Sequence, residues 1–564
     1  MPFCAEPREQ MRLVVRELGP ADADLLKAQL AAPTLDAEGK ARVIDGMAVR
    51  VLQMGAREYC DGASIIPSMA TSTNQSEALY SVAQIREIEK TAIAAHGIDG
   101  IDLMRRAAKA AYEFLRKRWP GARRIAVLCG SGNNGGDGYA LATLARKDQC
   151  HVDVIALGPP RPGSEAALAY AEWTLAGGKV LANTVWPEAD VYVDALFGIG
   201  LARAPEEQAE AWIARLNAGS MPVLALDVPS GLNADSGVAP GAAVRATATI
   251  SFIAQKRGLH TGAAADFCGE IFVDTLALPA EVFRRCRPDA HLLGKNDLDG
   301  WRVARARDAH KGQFGHVLAI GGDVGMAGAI RLAAEAALRV GAGLVSVATQ
   351  PEHIFALNAA RPELMAHGVA GIQELTTLLE RANVVAVGPG LGQRAWGHAL
   401  WRTALAAGKA TVLDADGLNL LARESLALPK QCVLTPHPGE AATLLGLDTR
   451  AIADDRFAAA RELAKRHQAV VVLKGAGTLI ANQHGELAVC PWGNPGMASG
   501  GMGDVLTGVI AGLLAQGLDA WQAARFGVAL HALAGDAAAA AGETGTVASD
   551  LFAPLRRLRN GLAA

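Results

Sequence analysis

From Ala78 to about Arg285, short apolar runs alternate with stretches whose apolar positions recur at helical spacing. The runs "RRIAVLCG", "CHVDVIALG", "ADVYVDALFG", "MPVLALDVPSG", "ATATISFIA" and "GEIFVDTLAL" read as strands, and "GSEAALAYAEWTLAGG" and "PEEQAEAWIARLNAG" read as helices between them. Such alternation predicts a parallel sheet with helices on both faces and ligands at the carboxyl ends of the strands. A second α/β pattern begins at "GHVLAIGG" and runs through "GLVSVATQ", "NVVAVGPGLG", "ATVLDADGL", "CVLTPHPGE" and "AVVVLKGAGTLIA". It closes with "GMASGGMGDVLTGVIAGLLAQG" and an alanine-rich helical tail. The two halves differ in motif, which indicates fusion and not duplication.

The charged, weakly periodic seam "RRCRPDAHLLGKNDLDGWRVARARDAHKG" reads as a linker. Three segments are therefore expected: a leader over 1–78, one domain over 79–285 and another over 286–564. The leader has mixed charge, a Ser/Thr/Asn-rich end and no glycine motif, so it reads as loosely ordered or as the product of an upstream start, with Met69 as the alternative start.

Composition narrows the function class. At 564 residues the chain exceeds a single core. A net charge of −3 without a basic stripe speaks against nucleic acid. The apolar stretch "VLTGVIAGLLAQGL" is too short to span a bilayer, and the N-terminus lacks the apolar core of a secretory signal. The eight cysteines show no metal spacing or disulfide framework, as expected of reduced thiols in a cytoplasmic enzyme.

Two constellations carry chemistry. In the first half, "CGSGNNGGDGYA" places a glycine loop between a strand and a helix N-terminus, where unpaired N–H groups form an anion site. Asn133, Asn134 and Asp137 add polar groups that a bare turn does not need, and Asp194, Asp227 and Ser230 follow other strands on the same edge. Asn134, Asp194 and Ser230 together offer an all-oxygen set suited to a weakly charged cation such as potassium. In the second half, Gly500, Gly501 and Gly503 open a long apolar helix, with Asp504 in its first turn beside the place a phosphate would occupy.

"NNGGDG", "DALFGIGL" and "DVPSGL", in that order, resemble the NAD(P)H-hydrate epimerase domain. The resemblance implies a hydrated-nucleotide site made by Asn133, Asn134, Gly135, Gly136 and Asp137, by Gly198, Ile199, Gly200, Leu201, Ala202, Arg203 and Ala204, and by Asp227. It also implies that Asn134, Asp194 and Ser230 bind K+. Asp194 is the first choice for proton transfer and Asp227 the second; their roles are not separable at this level. "HKGQFGHVLAIGG", "GAIRLAAEAALRVGAGLV", "GPGLG", "TPHPGE", "KGAGT" and the GGMGD signature resemble the ribokinase-type fold, and within it ADP- or ATP-dependent NAD(P)H-hydrate dehydratase. By that resemblance Lys474, Gly475, Ala476, Gly477, Thr478 and Gly503 bind adenylate, while Ala329, Gly392, His437 and Asp504 contact the hydrated dinucleotide.

The implied protein is α/β throughout, an N-terminal Rossmann-like three-layer domain fused to a C-terminal ribokinase-like α/β domain. Its implied function is bifunctional nicotinamide-nucleotide repair. Asp504 serves as base, Gly500 to Gly503 hold the transferring phosphoryl group, and Mg2+ accompanies ADP or ATP. His437, in a Pro-Gly-punctuated loop after a strand, is favoured as a ligand contact, whereas Lys311 reads equally well as a surface lysine. The expected partners are small molecules (NADHX, NADPHX, ADP or ATP) and further copies of the chain in a homo-oligomer, with neither nucleic acid nor membrane. The rival reading is a ribokinase-fold small-molecule kinase whose N-terminal domain only binds a partner.

Overall fold

The computed structural model describes residues 77–563 apart from 202 and 303, so Ala202 and the leader up to residue 76 lie outside the described residues. In chain order the first strands are β1 (Ala78–Tyr80), β2 (Arg124–Cys129), β3 (His151–Ala156), β4 (Val191–Ala195), β5 (Val223–Leu226), β6 (Ala248–Phe252), β7 (Gln255–Lys256), β8 (Glu270–Asp274) and β9 (Ala290–Leu292). They are followed by β10 (His316–Ile320), β11 (Leu344–Thr349), β12 (Met365–Gly368), β13 (Val384–Val387), β14 (Ala410–Leu413) and β15 (Cys432–Leu434). The last three are β16 (Val470–Leu473), β17 (Thr478–Ala481) and β18 (Leu487–Cys490).

Six of these form a sheet in the order β3-β2-β4-β5-β6-β8, and all of its pairs are parallel. Side chains alternate between its faces. Ile125, Val127 and Cys129 of β2 enter one core with the helices Gly100–Arg118 and Asn133–Lys147; Leu128 enters another with Trp212, Ile213 and Leu216 of Glu207–Ala218. Both faces are thus dry, which is why the strands read as apolar runs. The order reverses between β2 and β4, so the loops after these two strands diverge and leave a crevice there.

The second sheet runs β12-β11-β10-β13-β14-β15-β16-β17-β18-β9-β1-β7. It is parallel from β12 to β16 and reverses through β17. Its own switch point lies between β10 and β13. Val317, Val384 and Val472 face one core while Leu318, Val385 and Leu473 face the other.

One expectation needs correcting. The seam is not a bare linker, because it contains β9 and the helix Lys295–Trp301. Strand β9 pairs with β18 on one side and with β1 on the other, and β1 pairs with β7. Segments on both sides of the expected boundary at 285/286 therefore belong to one sheet. A strand of three residues is too short to show a period, and its partners are distant in sequence, so nothing local announced it. No helix among the described residues is long and apolar enough to cross a membrane.

Candidate active sites

At the switch point of the first sheet, β2 runs through Gly130 into the helix Asn133–Lys147, whose N-cap Gly132 makes no side-chain cap bond. Gly135 is needed for packing: a Cβ there would lie 1.9 Å from the Gly130 carbonyl oxygen. Asn134 is buried, and neither its amide nitrogen nor its amide oxygen has a hydrogen-bond partner. A buried primary amide with both ends unpaired is costly unless a ligand completes it.

Four carboxylates gather at that loop. Asp194, at the end of β4, is fully buried. It accepts from the Ser230 amide (2.8 Å), the Ser230 hydroxyl (2.6 Å) and the Leu196 amide (3.2 Å). Burial pushes its pKa up to about 6, against the pull of those hydrogen bonds. Asp227, after β5, adopts a left-handed backbone with φ of 65° and accepts from the buried ammonium of Lys256. Lys256 also donates to the Ser251 hydroxyl (2.8 Å) and the Phe252 carbonyl (2.6 Å). Asp137 is raised well above the usual carboxylate range by burial and by the charges of Asp227 and Glu89, which Lys256 only partly offsets. Glu89 is raised likewise, first by burial and then by Asp227. Gly198 joins the cluster: a Cβ there would sit 3.3 Å from Asp227 Oδ2 and 3.4 Å from Asn134 Cγ. Farther along this stretch Arg203 is exposed, with Glu206 3.8 Å away.

The second site lies at the carboxyl ends of β14, β15 and β16. Lys474 follows β16 and pairs with Asp414 Oδ1 at 2.9 Å, with Glu440 Oε2 3.7 Å away. The Thr507 hydroxyl donates to Asp414 Oδ2 at 2.8 Å. Burial alone would lower Lys474, but Asp414 and Glu440 outweigh it and hold the ammonium above its ordinary pKa. The helix Met502–Ala515 enters over this pair through Gly501, with φ of 90° and no side-chain cap. A Cβ on Gly503 would be 3.3 Å from Lys474 Nζ. Asp504, next in the chain, is half-buried, and its pKa is pushed to about 7 by burial first and by Asp414 second, with Lys474 opposing.

A cavity of about 950 Å³ opens beside this helix entrance, lined by Lys474 to Thr478, Gly500 and Gly503. That volume suits a nucleotide-sized ligand. Ala329 and Gly392 do not line it. They stand at the β10/β13 switch point, where the Gly392 amide donates to Asp416 at 2.9 Å and Arg394 pairs with Asp323 at 2.8 Å. His437 borders the cavity, but its ring already has a structural task. Nδ1 accepts from the amides of Gly439 (3.0 Å) and Glu440 (3.2 Å), capping the helix Pro438–Leu445.

The chain is 48% identical over 86% of its length to the bifunctional NAD(P)H-hydrate repair enzyme of Coxiella burnetii, covering 99% of that protein. To the Escherichia coli protein of the same description it is 45% identical over 84% of its length and 93% of the relative's. The chain belongs to the bifunctional NAD(P)H-hydrate repair enzymes. Residues 317–557 match the family described as NAD(P)H-hydrate dehydratase, and residues 100–258 match the YjeF-related N-terminus. A crystal structure of the ADP/ATP-dependent NAD(P)H-hydrate dehydratase from Bacillus subtilis is similar as well, at 31% identity and a TM-score of 0.43, covering 46% of this chain and 95% of that one. The α/β fold thus carries an epimerase half and a dehydratase half, and the reading as a kinase with a non-catalytic N-terminal module falls away.

Sequence reasoning overlooked four charged residues that this repair enzyme gathers at its two sites: Glu89, Lys256, Asp414 and Glu440. Asp414 carried the signal already used for Asp194, an acid at the end of an apolar strand. Lys256, just beyond β6, had no such mark; only the fold shows that it is fully buried against Asp227.

Proposed function

We propose that the dehydratase half uses Asp504 as general base against a nucleotide held by the cavity, and that it acts on the S epimer of the hydrate. The observation that carries this is Asp504 itself, a carboxyl with a pKa near 7 at a glycine-opened helix entrance, beside the Lys474–Asp414 pair. Asp504 takes the proton of the C6 hydroxyl, whose oxygen attacks the terminal phosphorus of ADP or ATP and releases AMP or ADP. The ring nitrogen then expels phosphate, and loss of the C5 proton gives NAD(P)H. The exposed N–H groups of Gly500 to Gly503 and the Lys474 ammonium face the charge that develops during transfer. Among the described residues the grouping of three potential metal ligands is Glu77, His291 and Asp297, away from the cavity. Magnesium that arrives on a nucleotide needs only one or two protein carboxylates; Asp414, beside Lys474 at the helix entrance, would supply one, and the ion would neutralise phosphate charge.

For the epimerase half the geometry supports a division of labour. Asp194 is enclosed and both its oxygens are engaged by Ser230 and Leu196, whereas Asp227 Oδ2 lies beside Gly198 and accepts no hydrogen bond among the described residues. We therefore assign base chemistry to Asp227, the second choice from sequence, and leave Asp194 in the oxygen set. Burial and its acidic neighbours favour the protonated form of Asp137, which gives a proton to the departing C6 hydroxyl as the ring nitrogen expels it. Water returns on either face and yields its proton to Asp227. The unpaired Asn134 amide fits a potassium ligand, so Asn134, Asp194 and Ser230 would hold the ion, which would supply positive charge beside Asp194. The six cysteines among the described residues are all free, in keeping with a cytoplasmic setting.

The test is to incubate the full-length protein with mixed hydrates, with ADP, with ATP and with neither, following each epimer and inorganic phosphate. Both epimers should be consumed with nucleotide, with one phosphate released per NAD(P)H. A stable phosphorylated product, or consumption without nucleotide, would defeat the reading.

A further inference from the structure

The cavity beside Asp504 has a wall that belongs to the other half of the chain. His260, Thr261 and Gly262, which follow β7 and the short turn Arg257–His260, line it together with the loop Lys474–Thr478. Thr261 is fully buried and its hydroxyl stands at a junction. Its oxygen accepts from Arg456 Nε at 3.1 Å, and the carbonyls of Gly477 and Ala476 lie 3.0 and 3.3 Å away. The Gly477 carbonyl is the nearer of the two and the Ala476 carbonyl also accepts from the Gly262 amide at 3.1 Å, which favours Gly477 for the single hydroxyl proton. Arg456 is itself buried, donates to the carbonyls of Leu473 and Lys474 at 3.3 Å, and has no carboxylate at ion-pair distance among the described residues. A guanidinium without a counter-charge is expensive to bury. Here its hydrogen bonds end on Thr261, on Lys474 in the loop and on Leu473, the last residue of β16.

The loop is shaped to receive this contact. Gly477 has φ of 60°, and a Cβ on it would fall 1.9 Å from the His260 carbonyl oxygen. That glycine, which the resemblance assigns to adenylate binding, is required by the approach of the epimerase half. The Thr478 hydroxyl closes the loop by donating to the Gly475 carbonyl at 2.8 Å. One side of the loop is thus tied through Thr261 and Arg456, leaving the other to face the cavity.

We propose that Thr261 is a positioning residue for nucleotide binding by the dehydratase half, so that the epimerase half completes the site at which a nucleoside di- or triphosphate binds. This rests on the reading that Lys474 to Thr478 hold the nucleotide.

Thr261→Val keeps the shape but leaves the Gly477 carbonyl and Arg456 Nε unpaired. In the full-length protein it should weaken calorimetric ADP and ATP binding by about ten- to a hundredfold, the usual effect of stranding buried polar groups. The nucleotide KM should rise in parallel while kcat at saturation changes little, because Asp504 is untouched. Thr261→Ser should restore affinity to near wild type. Epimerisation by the same sample reports that the protein has folded. Arg456→Gln, which removes the donor on the other side of the same bond, gives the same reading if Thr261→Val does not fold. Wild-type affinity in whichever of these folds would overturn the proposal. Failure of the wild-type protein to bind either nucleotide would instead overturn the assignment of the loop.

Discussion

Asp504 and its neighbours show how one carboxylate is tuned. Burial raises its pKa, Asp414 raises it further and Lys474 opposes, so that it rests at about 7. Asp504→Asn retains the size, and nucleotide binding and epimerisation should persist. Single-turnover dehydration of pure S hydrate should fall by about a hundredfold or more, the usual contribution of a general base. A variant that binds ADP and dehydrates near the wild-type rate would remove Asp504 from the mechanism. The base must be ionised, so kcat/KM for the hydrate, which reports the free enzyme, should decline as pH falls through about 7. Asp414→Asn removes a charge that raises Asp504 and frees Lys474, which lowers it. The acidic limb should therefore move to lower pH in a pH–rate profile, whatever happens to the plateau. A limb that stays in place would mean another group sets it.

Among the elements, the helix Met502–Ala515 serves site and core together. Its entrance presents free N–H groups, while Gly508 and Gly512 let it lie close against the helix Ala327–Arg339. A Cβ on Gly508 would come 1.9 Å from the Ala333 carbonyl oxygen. Two effects of Gly508→Ala compete. Helix propensity favours alanine by about 1 kcal/mol, but forcing two packed helices apart costs about 1–3 kcal/mol. The backbone oxygen cannot rotate away, so the clash should win, and urea denaturation should show a net loss of stability. A gain would show that the helices separate freely. The glycine loop after β2 follows the same logic, since Gly135 answers to the Gly130 carbonyl and the buried Asn134 amide is left unpaired.

At the scale of the molecule, chemistry is divided while structure is shared. The carboxylates of the epimerase half gather around Lys256, and those of the dehydratase half around Lys474. Asp227→Asn should therefore abolish epimerisation and leave dehydration of pure S hydrate unchanged, with Asp137 and Glu89 remaining as acidic neighbours of Lys256. Collapse of both activities, followed epimer by epimer, would show that the sites are not independent. The scaffold is less divisible. Besides the common sheet, Asp289 in the seam binds Arg257 from one side at 2.7 Å and Arg461 from the other at 2.9 Å.

The amino-acid sequence determined by itself what is written locally: the apolar period of the strands, the glycine loops that open helices, and the acids at strand ends. From these the two α/β halves, the family and residues such as Asp137, Asp227 and Asp504 were legible, because strand, loop and helix entrance are contiguous in the chain. Tertiary structure alone decided what depends on distant segments meeting. Lys256 acquires meaning only when Asp227 is folded against it, and Gly477 only when His260 approaches. Strand β9 exists because β1 and β18 flank it, and the ionisation of Asp504 depends on Asp414 and Lys474. Burial and charge proximity are properties of space, and neither has a period along the chain.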